Sequence, residues 1–583
     1  MNYKECRMHR GFSLLEVILS IALFGMVAII IFSSILYAQK STKIFAERSQ
    51  AILLADEGMN AVRNIRDGSF TNFFTTVADG AYGIGVTGNQ WALSGAFDII
   101  GDFRRQVVVS TVNSTTRLLT STVSWPQASP LYSTDTKTYL TNWANVIATS
   151  IVGILVYANG GTTTDSMQYQ TFDSTGAWSV ATSMADVDGL TTNKRPRVIR
   201  VYDSPTRNEK IAISRHYNGT AQFIYGQVFD GTTWGNVQLL STWTATTFLD
   251  VQNFDGAYLS NGNFMTVFSD NTVIPKMRTW DGTLWSGQTS LTTLGASQIP
   301  TFIVTRNRLA TNEVMAAFHT RGSDAITQYY SGSAWSAITS HATTSPSNAR
   351  RLTDFVWSFN DTTRGMIVYT SSTTDTTIDG KIWTANGTGG GAWGTAVQSG
   401  TVTGTIGSVI LSPRAGANEF HACRKGAATP FAINCYKATF SSGVLTWTTP
   451  SNTPIATTSI TGNQLTVGVG FEANSGDPAL ALYSDNTAIP KYKKYAPTTN
   501  TWDVSATSIA TITGILNTSR VVPRSGSNDM MVLMGNANLD VFTIVWDGSN
   551  NQMYSTPAGR ALTTHGTNGS ATTDYWFDFV WEN

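Results

Sequence analysis

The chain is long enough, at 583 residues, for several ordinary domains or one large repeat domain, and its 38 Lys+Arg balance 38 Asp+Glu. That balance, with charged residues at 13% against about 25% in an average soluble protein, gives no surplus directing the chain to nucleic acid or an anionic membrane surface. Gly, Thr, Ser and Asn, with 17 Trp, 20 Tyr and 27 Phe, favour β-structure with many turns.

The chain opens on MNYKECRMHRG, with Lys4, Arg7 and Arg10 against Glu5. An apolar run follows from Phe12 to about Tyr37, long enough to span a bilayer as one helix. Positive charge ahead of the run places the leader on the cytoplasmic side and the rest outside. A secretory signal would have a shorter apolar core and a small-residue cleavage site, and neither follows Tyr37. Instead Ile44, Ala51, Leu54, Met59, Val62 and Ile65 continue as one apolar stripe at helical spacing. The spacing predicts a single helix over Ser13–Arg66, about 80 Å long at 1.5 Å per residue, ended at Gly68. Glu16 interrupts the apolar run, where a lone carboxylate costs about 2.5–3.5 kcal/mol on insertion scales.

A basic leader ending in Gly, then Phe, then SLLEV resembles the N-terminus of type IV prepilins. The resemblance implies that a membrane peptidase and methylase cuts between Gly11 and Phe12 and methylates the new amine. It also implies that Glu16 pairs with the N-terminal ammonium of a neighbouring subunit, since a buried pair is tolerable where a lone charge is not. Residues 1–11 are then a leader, and residues 12–66 a transmembrane and assembly helix. The implied partners are the peptidase, other pilin subunits and the inner membrane before assembly.

Residues 67–141 hold the alternating runs RRQVVVSTV and RLLTSTVSW, suited to a small antiparallel sheet against the helix. With LADEGMNAVRNIRD before them, they resemble the heads of low-abundance, tip-associated minor pilins.

From residue 142 to 583 the chain repeats. An aromatic, a small polar turn and a second aromatic recur, as in FDGTTW to Trp234, WDGTLW to Trp285 and YSGSAW to Trp335, at spacings of 50 to 58 residues. Four strands per unit at this period predict a β-propeller, a solenoid being the competing architecture. Alternate units share Asn208-Glu209, Asn312-Glu313, Asn418-Glu419 and Asn528-Asp529, whereas the others carry Tyr157, Phe268, Tyr369 and Tyr483. SDNTVIPK from Ser269 and SDNTAIPK from Ser484 differ at one residue, 215 residues apart. The expectation is mainly β with one long N-terminal helix, a small pilin-like α+β head, and eight blades from four double-units. The first unit lacks an inner strand, and the terminal Asp578-Phe579-Val580-Trp581 repeats Asp354-Phe355-Val356-Trp357, so the C-terminal strand is expected to close blade one.

Cys423 and Cys435 flank a Gly/Pro-containing turn and read as a disulfide outside the cytosol, the alternative being two buried thiols. The FDGTTW turns resemble the blade turns of sialidases and fucose-binding lectins, which implies a turn-holding role for Asp230, Gly231 and Trp234. A sialidase-like reaction would need arginines, a carboxylate and a tyrosine converging at the ring centre. Arg197, Arg306, Arg414 and Arg524 are the arginines singled out. No nucleophile triad, phosphate loop, dinucleotide fingerprint or metal spacing is present, so neither cofactor nor metal is expected. A candidate binding face is read at the second-strand ends: Arg215 and His216, His319 and Arg321, Arg424 and Lys425, alternating with Asp270 and Asp485. The sequence reads as a minor type IV pilin presenting a propeller for adhesion to an extracellular ligand or surface glycan, with no nucleic acid partner. The alternatives are a surface-tethered glycosidase and a pseudopilin of secretion or DNA uptake.

Overall fold

Ser13 caps the long helix, its hydroxyl accepting the Leu15 N–H at 3.3 Å. The computed structural model describes residues 13–68, 73–74, 76–88, 90–113, 116–126, 132–141, 151–158, 167–188, 194–245, 247, 251–343, 351–372, 374–387, 389–401, 404–427, 431–460, 465–555, 560–567 and 575–582. The chain divides into two units, Met1–Ser150 and Ile151–Asn583.

In the first unit, α1 runs over Leu14–Gly68 without a break. Its N-terminal apolar stretch is long and apolar enough to cross a membrane, and its side chains are unburied. Further along, Ala51, Ala55, Gly58, Met59, Ala61 and Val62 turn one face into a core. That face packs on an antiparallel sheet of β1 (Gly80–Thr87), β2 (Gln90–Ser94), β3 (Asp98–Ile100), β4 (Phe103–Asn113), β5 (Thr116–Trp125) and β6 (Tyr132–Thr141). The sheet order is β2-β1-β4-β5-β6, with β3 on β4. Strict alternation in β4 and β5 sends Val107, Val109, Leu119 and Val123 to the helix side. Gly58 allows a close approach, since a Cβ there would lie 2.7 Å from Ser121 Oγ and 3.1 Å from Arg105 Cδ. Buried Arg105 ties helix to sheet, donating to Leu54 O at 3.2 Å and pairing with Glu57 at 3.1 Å and Asp98 at 2.9 Å.

The second unit's described strands form eight antiparallel sheets, numbered here one to eight. Sheet two is typical: Arg195–Asp203, Lys210–Tyr217, Ala221–Phe229 and Trp234–Thr244, paired in that order. The first strands of sheets three to eight are Phe254–Tyr258, Pro300–Asn307, Thr353–Trp357, Ile406–Pro413, Val467–Phe471 and Leu516–Pro523. Sheet one takes its first strand from the far end of the chain: Phe577–Trp581 pairs with Ile151–Ala158, with Phe577 opposite Tyr157 and Trp581 opposite Gly153. Each first strand lies beside the next, and that of sheet eight returns to Phe577–Trp581, so the sheets form a closed ring. The expected C-terminal closure is present.

The double-unit is written in hydrogen bonds. Ile199 N donates to Tyr575 O, Ile303 N to Gln252 O, Val409 N to Arg351 O and Ser519 N to Leu465 O, each at 2.9 Å. Every one joins an odd sheet to the even sheet after it. The Asn residues of the even units make a second tie. Asn312 Oδ1 accepts from Asn261 N at 3.0 Å, Asn418 Oδ1 from Asn360 Nδ2 at 2.8 Å, and Asn528 Oδ1 from Ser475 N at 2.9 Å. The odd-unit aromatics Tyr157, Phe268, Tyr369 and Tyr483 are buried.

The repeated turns do what their residues suggest. Asp230 Oδ1 accepts the N–H groups of Thr232 and Thr233, both at 2.8 Å, and Gly231 sits at φ 97°. These hydrogen bonds, with the Thr232 hydroxyl, hold the Asp230 carboxyl down at about 2. Trp234 is buried, with ring centroids 5.4 Å from Phe229 and 6.2 Å from Tyr169 of sheet one. Other repeat tryptophans reach back across a sheet boundary: Trp285 donates to Asn236 O at 3.2 Å and Trp447 to Val397 O at 2.9 Å.

Candidate functional site

Two places carry chemistry. At the N-terminus, Gly11 and Phe12 lie outside the described residues, while Glu16 sits exposed in the first turn of α1.

In the second unit, the first strands of all eight sheets line one cavity of about 870 Å³. It runs from mid-strand toward the loops that follow these strands. Leu309 and Phe359, 63% and 56% exposed, stand in those loops. Tyr258, Trp357, Phe471 and Trp581 contribute to the walls, and the indoles of Trp357 and Trp581 are anchored on Arg306 O at 3.0 Å and Val522 O at 2.9 Å.

The deep end is charged. Asp255 and Asp578 are 0% exposed, and they occupy the second position of FDGAY and FDFVW. Each carboxylate reaches over to the next sheet: Asp578 Oδ2 accepts Val201 N and Asp255 Oδ2 accepts Thr305 N, both at 2.9 Å. Asp354 does the same to Leu411 N at 2.9 Å, and Arg351 pairs with it at 3.4 Å. The fourth such position is Gly468, whose missing side chain lets the backbone of Arg520 approach to 3.0 Å of where a Cβ would stand.

Three guanidiniums share the two carboxylates. Arg306 pairs with Asp255 at 2.7 Å, Arg520 pairs with Asp578, and Arg200 lies between them, 3.6 Å from Asp578 and 4.0 Å from Asp255. Burial alone would raise the Asp255 carboxyl; Arg306 and Arg200 outweigh it and hold the group below its ordinary value. Burial first, then repulsion from Arg200, drives Arg520 well below the usual guanidinium range. Tyr202 donates its hydroxyl to Asp255 Oδ1 at 2.5 Å, and burial with the Asp255 charge raises that phenol well above its ordinary value. Tyr575 donates to Ser519 O at 3.1 Å.

Of the arginines singled out in the sequence, Arg306 alone lines this cavity. Arg414 is committed to Glu419 at 3.1 Å and Gly476 O at 2.8 Å, and Arg524 lies over the Trp581 ring at 5.1 Å. Arg200, Arg351 and Arg520 are the additional members. Their visible signal is the Asp of the repeated DFVW strands, to which such partners must come.

The expected recognition face at the second-strand ends is corrected by burial. Arg215, His216, His319, Arg424 and Lys425 are at most 1% exposed. Arg215 donates to Val251 O and Gln222, and Arg424 to Gly404 O at 3.2 Å and Asn434 at 3.3 Å. His216 is held between Ser214 Oγ at 2.8 Å and Lys194 O at 2.9 Å, and its burial depresses its pKa to about 4. Arg321 donates to Asn271 at 2.6 Å. Asp270 and Asp485 pair with Lys276 and Lys491 of their own octapeptides, whose Asn271 and Asn486 take positive φ, so the shared octapeptide is a turn. Cys423 and Cys435 stand opposite each other on neighbouring strands and are disulfide-bonded.

Residues 6–32 match the family described as the prokaryotic N-terminal methylation motif. The N-terminus is a prepilin-type methylation segment. The matched stretch covers Gly11, Phe12 and Glu16, and with the long apolar helix it fits a membrane-anchored precursor. No curated protein matches the chain. Among solved structures, the Aleuria aurantia lectin in complex with Fucα1-6GlcNAc is 13% identical at a TM-score of 0.33, covering 64% of this chain and 96% of the lectin. The periplasmic gluconolactonase of Pseudomonas aeruginosa is 9% identical at 0.37, over 66% of this chain and 99% of its own. A prolyl endopeptidase is 13% identical at 0.35, over 61% and 48%. Likenesses at these scores carry nothing about ligand or chemistry over to this chain.

Proposed function

We propose that the protein is a minor type IV pilin, inserted and assembled through its N-terminal helix, which presents an eight-bladed β-propeller at the pilus tip or cell surface for adhesion. The observation that carries this reading is the fusion of a methylation segment and uninterrupted helix to a closed ring of sheets in one chain. Residues 67–141, with the sheet folded on α1, serve as the pilin-like head. Gly11–Phe12 is the processing junction, and Glu16 the contact for the neighbouring subunit's amine. A ring of this bulk on every subunit would block lateral packing, which favours a tip or sparse position. Gold-labelled antibody against the ring tests it: label on pilus tips or sparsely on shafts supports the reading, and label confined to the envelope of piliated cells refutes it.

A second reading, a tethered glycosidase, is favoured by the contact of Tyr202 with Asp255 beside three arginines. The binding reading is preferred because Asp255, held low by Arg306 and Arg200, is a weak base for a phenol whose own pKa is raised. Turnover of a fluorogenic sialoside that is lost in Tyr202→Phe would reverse that preference.

A further inference from the structure

We propose that the ring cavity takes an uncharged small molecule with a rigid apolar body, admitted at the mouth formed by the loops after the first strands; this rests on the binding reading above. The charges on the cavity meet one another. Arg306 pairs with Asp255, Arg520 with Asp578 and Arg351 with Asp354, while Arg200 lies between Asp255 and Asp578. Asp203 pairs with Lys210 at 3.1 Å, and Glu472 accepts from Trp546 at 2.8 Å and Ser475 at 2.6 Å. A charged group seated among these pairs would have to separate one of them, leaving a buried ion without its partner. A neutral ligand leaves every pair intact.

The surface between the pairs and the mouth is apolar. Val580 and Ala257 stand two residues beyond Asp578 and Asp255, and Val522 two beyond Arg520; all three are half-buried and line the cavity. Ile410 takes in sheet six the place of Arg200 in sheet two, each preceding the residue whose N–H meets the neighbouring sheet's carboxylate. At the mouth the repeat supplies one loop position, three residues before the shared Asn208, Asn312 and Asn418. Pro205, Leu309 and Ala415 occupy it, and Phe359 stands in the loop of sheet five. Leu309 and Phe359 are exposed in neighbouring sheets, so a ligand covering them removes large apolar side chains from water. The Trp357 and Trp581 indoles, tied to backbone carbonyls, keep the wall behind this surface fixed, which suits a rigid body better than a flexible one. At about 870 Å³ the space is that of a small-molecule site.

The test titrates naphthylmethanol, naphthoate and naphthylmethylammonium by calorimetry at neutral pH into the full chain held in lipid nanodiscs, with empty nanodiscs as the blank. The alcohol is expected to bind saturably and at least about tenfold more tightly than either ion. Leu309→Ser combined with Phe359→Ser is expected to weaken the alcohol at least about fivefold with the thermal transition unchanged. Leu284→Ser, which removes an apolar side chain equally exposed in the WDGTLW turn outside the cavity, is expected to leave binding as it was. No saturable binding of the alcohol, or either ion matching it, would overturn the proposal; an ammonium that wins would mark Glu472 as the attracting group. Unchanged binding in the double variant, or an equal loss in Leu284→Ser, would also overturn it. Pilus labelling by the ring antibody is scored separately, so failure of alcohol binding with labelling intact removes this site and leaves the pilin reading standing.

Discussion

Phe579 offers a quantitative test of ring closure. It belongs to the terminal strand, is 1% exposed, and its ring centroid lies 4.9 Å from that of Trp581 and 6.0 Å from that of Trp178. It also fills the space over Gly153, where a Cβ would come within 2.3 Å of its Cζ. Phe579→Ala leaves a cavity in the core beside Trp178 and Trp581, a loss of about 3–5 kcal/mol. For a unit of this size, with unfolding entropy growing by about 2 cal/mol/K per residue, that lowers the melting temperature by roughly 3–6 °C. Deleting residues 574–583 does more. It strips Ile151–Ala158 of its inner partner strand and removes the buried Asp578 carboxylate from Arg200 and Arg520. The deleted protein is expected to lose its cooperative transition in calorimetry and to bind a hydrophobic dye. A deletion that melts at the full-length temperature, with Phe579→Ala also neutral, would show that the ring does not depend on this strand.

Acid should weaken the ring. His216, His341 and His565 have pKa values depressed by burial to about 4, 3 and 3. They stay neutral when folded but take up protons near 6.5 when unfolded, so stability is full above pH 6.5 and falls as pH drops from 6.5 to about 4 for His216 and to about 3 for His341 and His565. His216 alone accounts for about 3 kcal/mol; urea midpoints at pH 7.5 and 4.5 should differ, and His216→Gln should shrink the difference by about a third, His341 and His565 keeping the rest. Reducing Cys423–Cys435, which closes a 12-residue separation, should cost about 2–3 kcal/mol by denaturant titration; an unchanged midpoint would contradict this. Glu16→Leu should leave the membrane-bound precursor and its processing intact while depleting the protein at least tenfold from sheared pili on immunoblots; equal pilus content would remove Glu16 from assembly.

The architecture was legible because its signals are local and periodic. A turn needs Asp, Gly and a following aromatic at fixed offsets, and the apolar stripe of α1 needs only helical spacing. Closure was legible too, since DFVW occurs twice and one copy lies at the chain's end. The ring cavity was not. Arg200 and Arg520 occupy one position of sheets two and eight, while Arg306 comes from a different position of sheet four. They meet only because the ring curves their strands together around Asp255 and Asp578. Charged strand-end residues such as Arg215 and Arg424 resemble a solvent-facing surface in sequence, but their hydrogen bonds to Val251 O and Gly404 O show packing roles inside the ring. A linear pattern tells which residues alternate along a strand, not which face of a closed ring they end up on.

Assembly into a pilus turns on one processing event at the head of the chain. Mass spectrometry of the protein recovered from sheared pili should find an N-terminal peptide beginning at Phe12 and carrying one methyl group on its amine. Recovery only from membranes, or with the leader through Gly11 still attached, would contradict it.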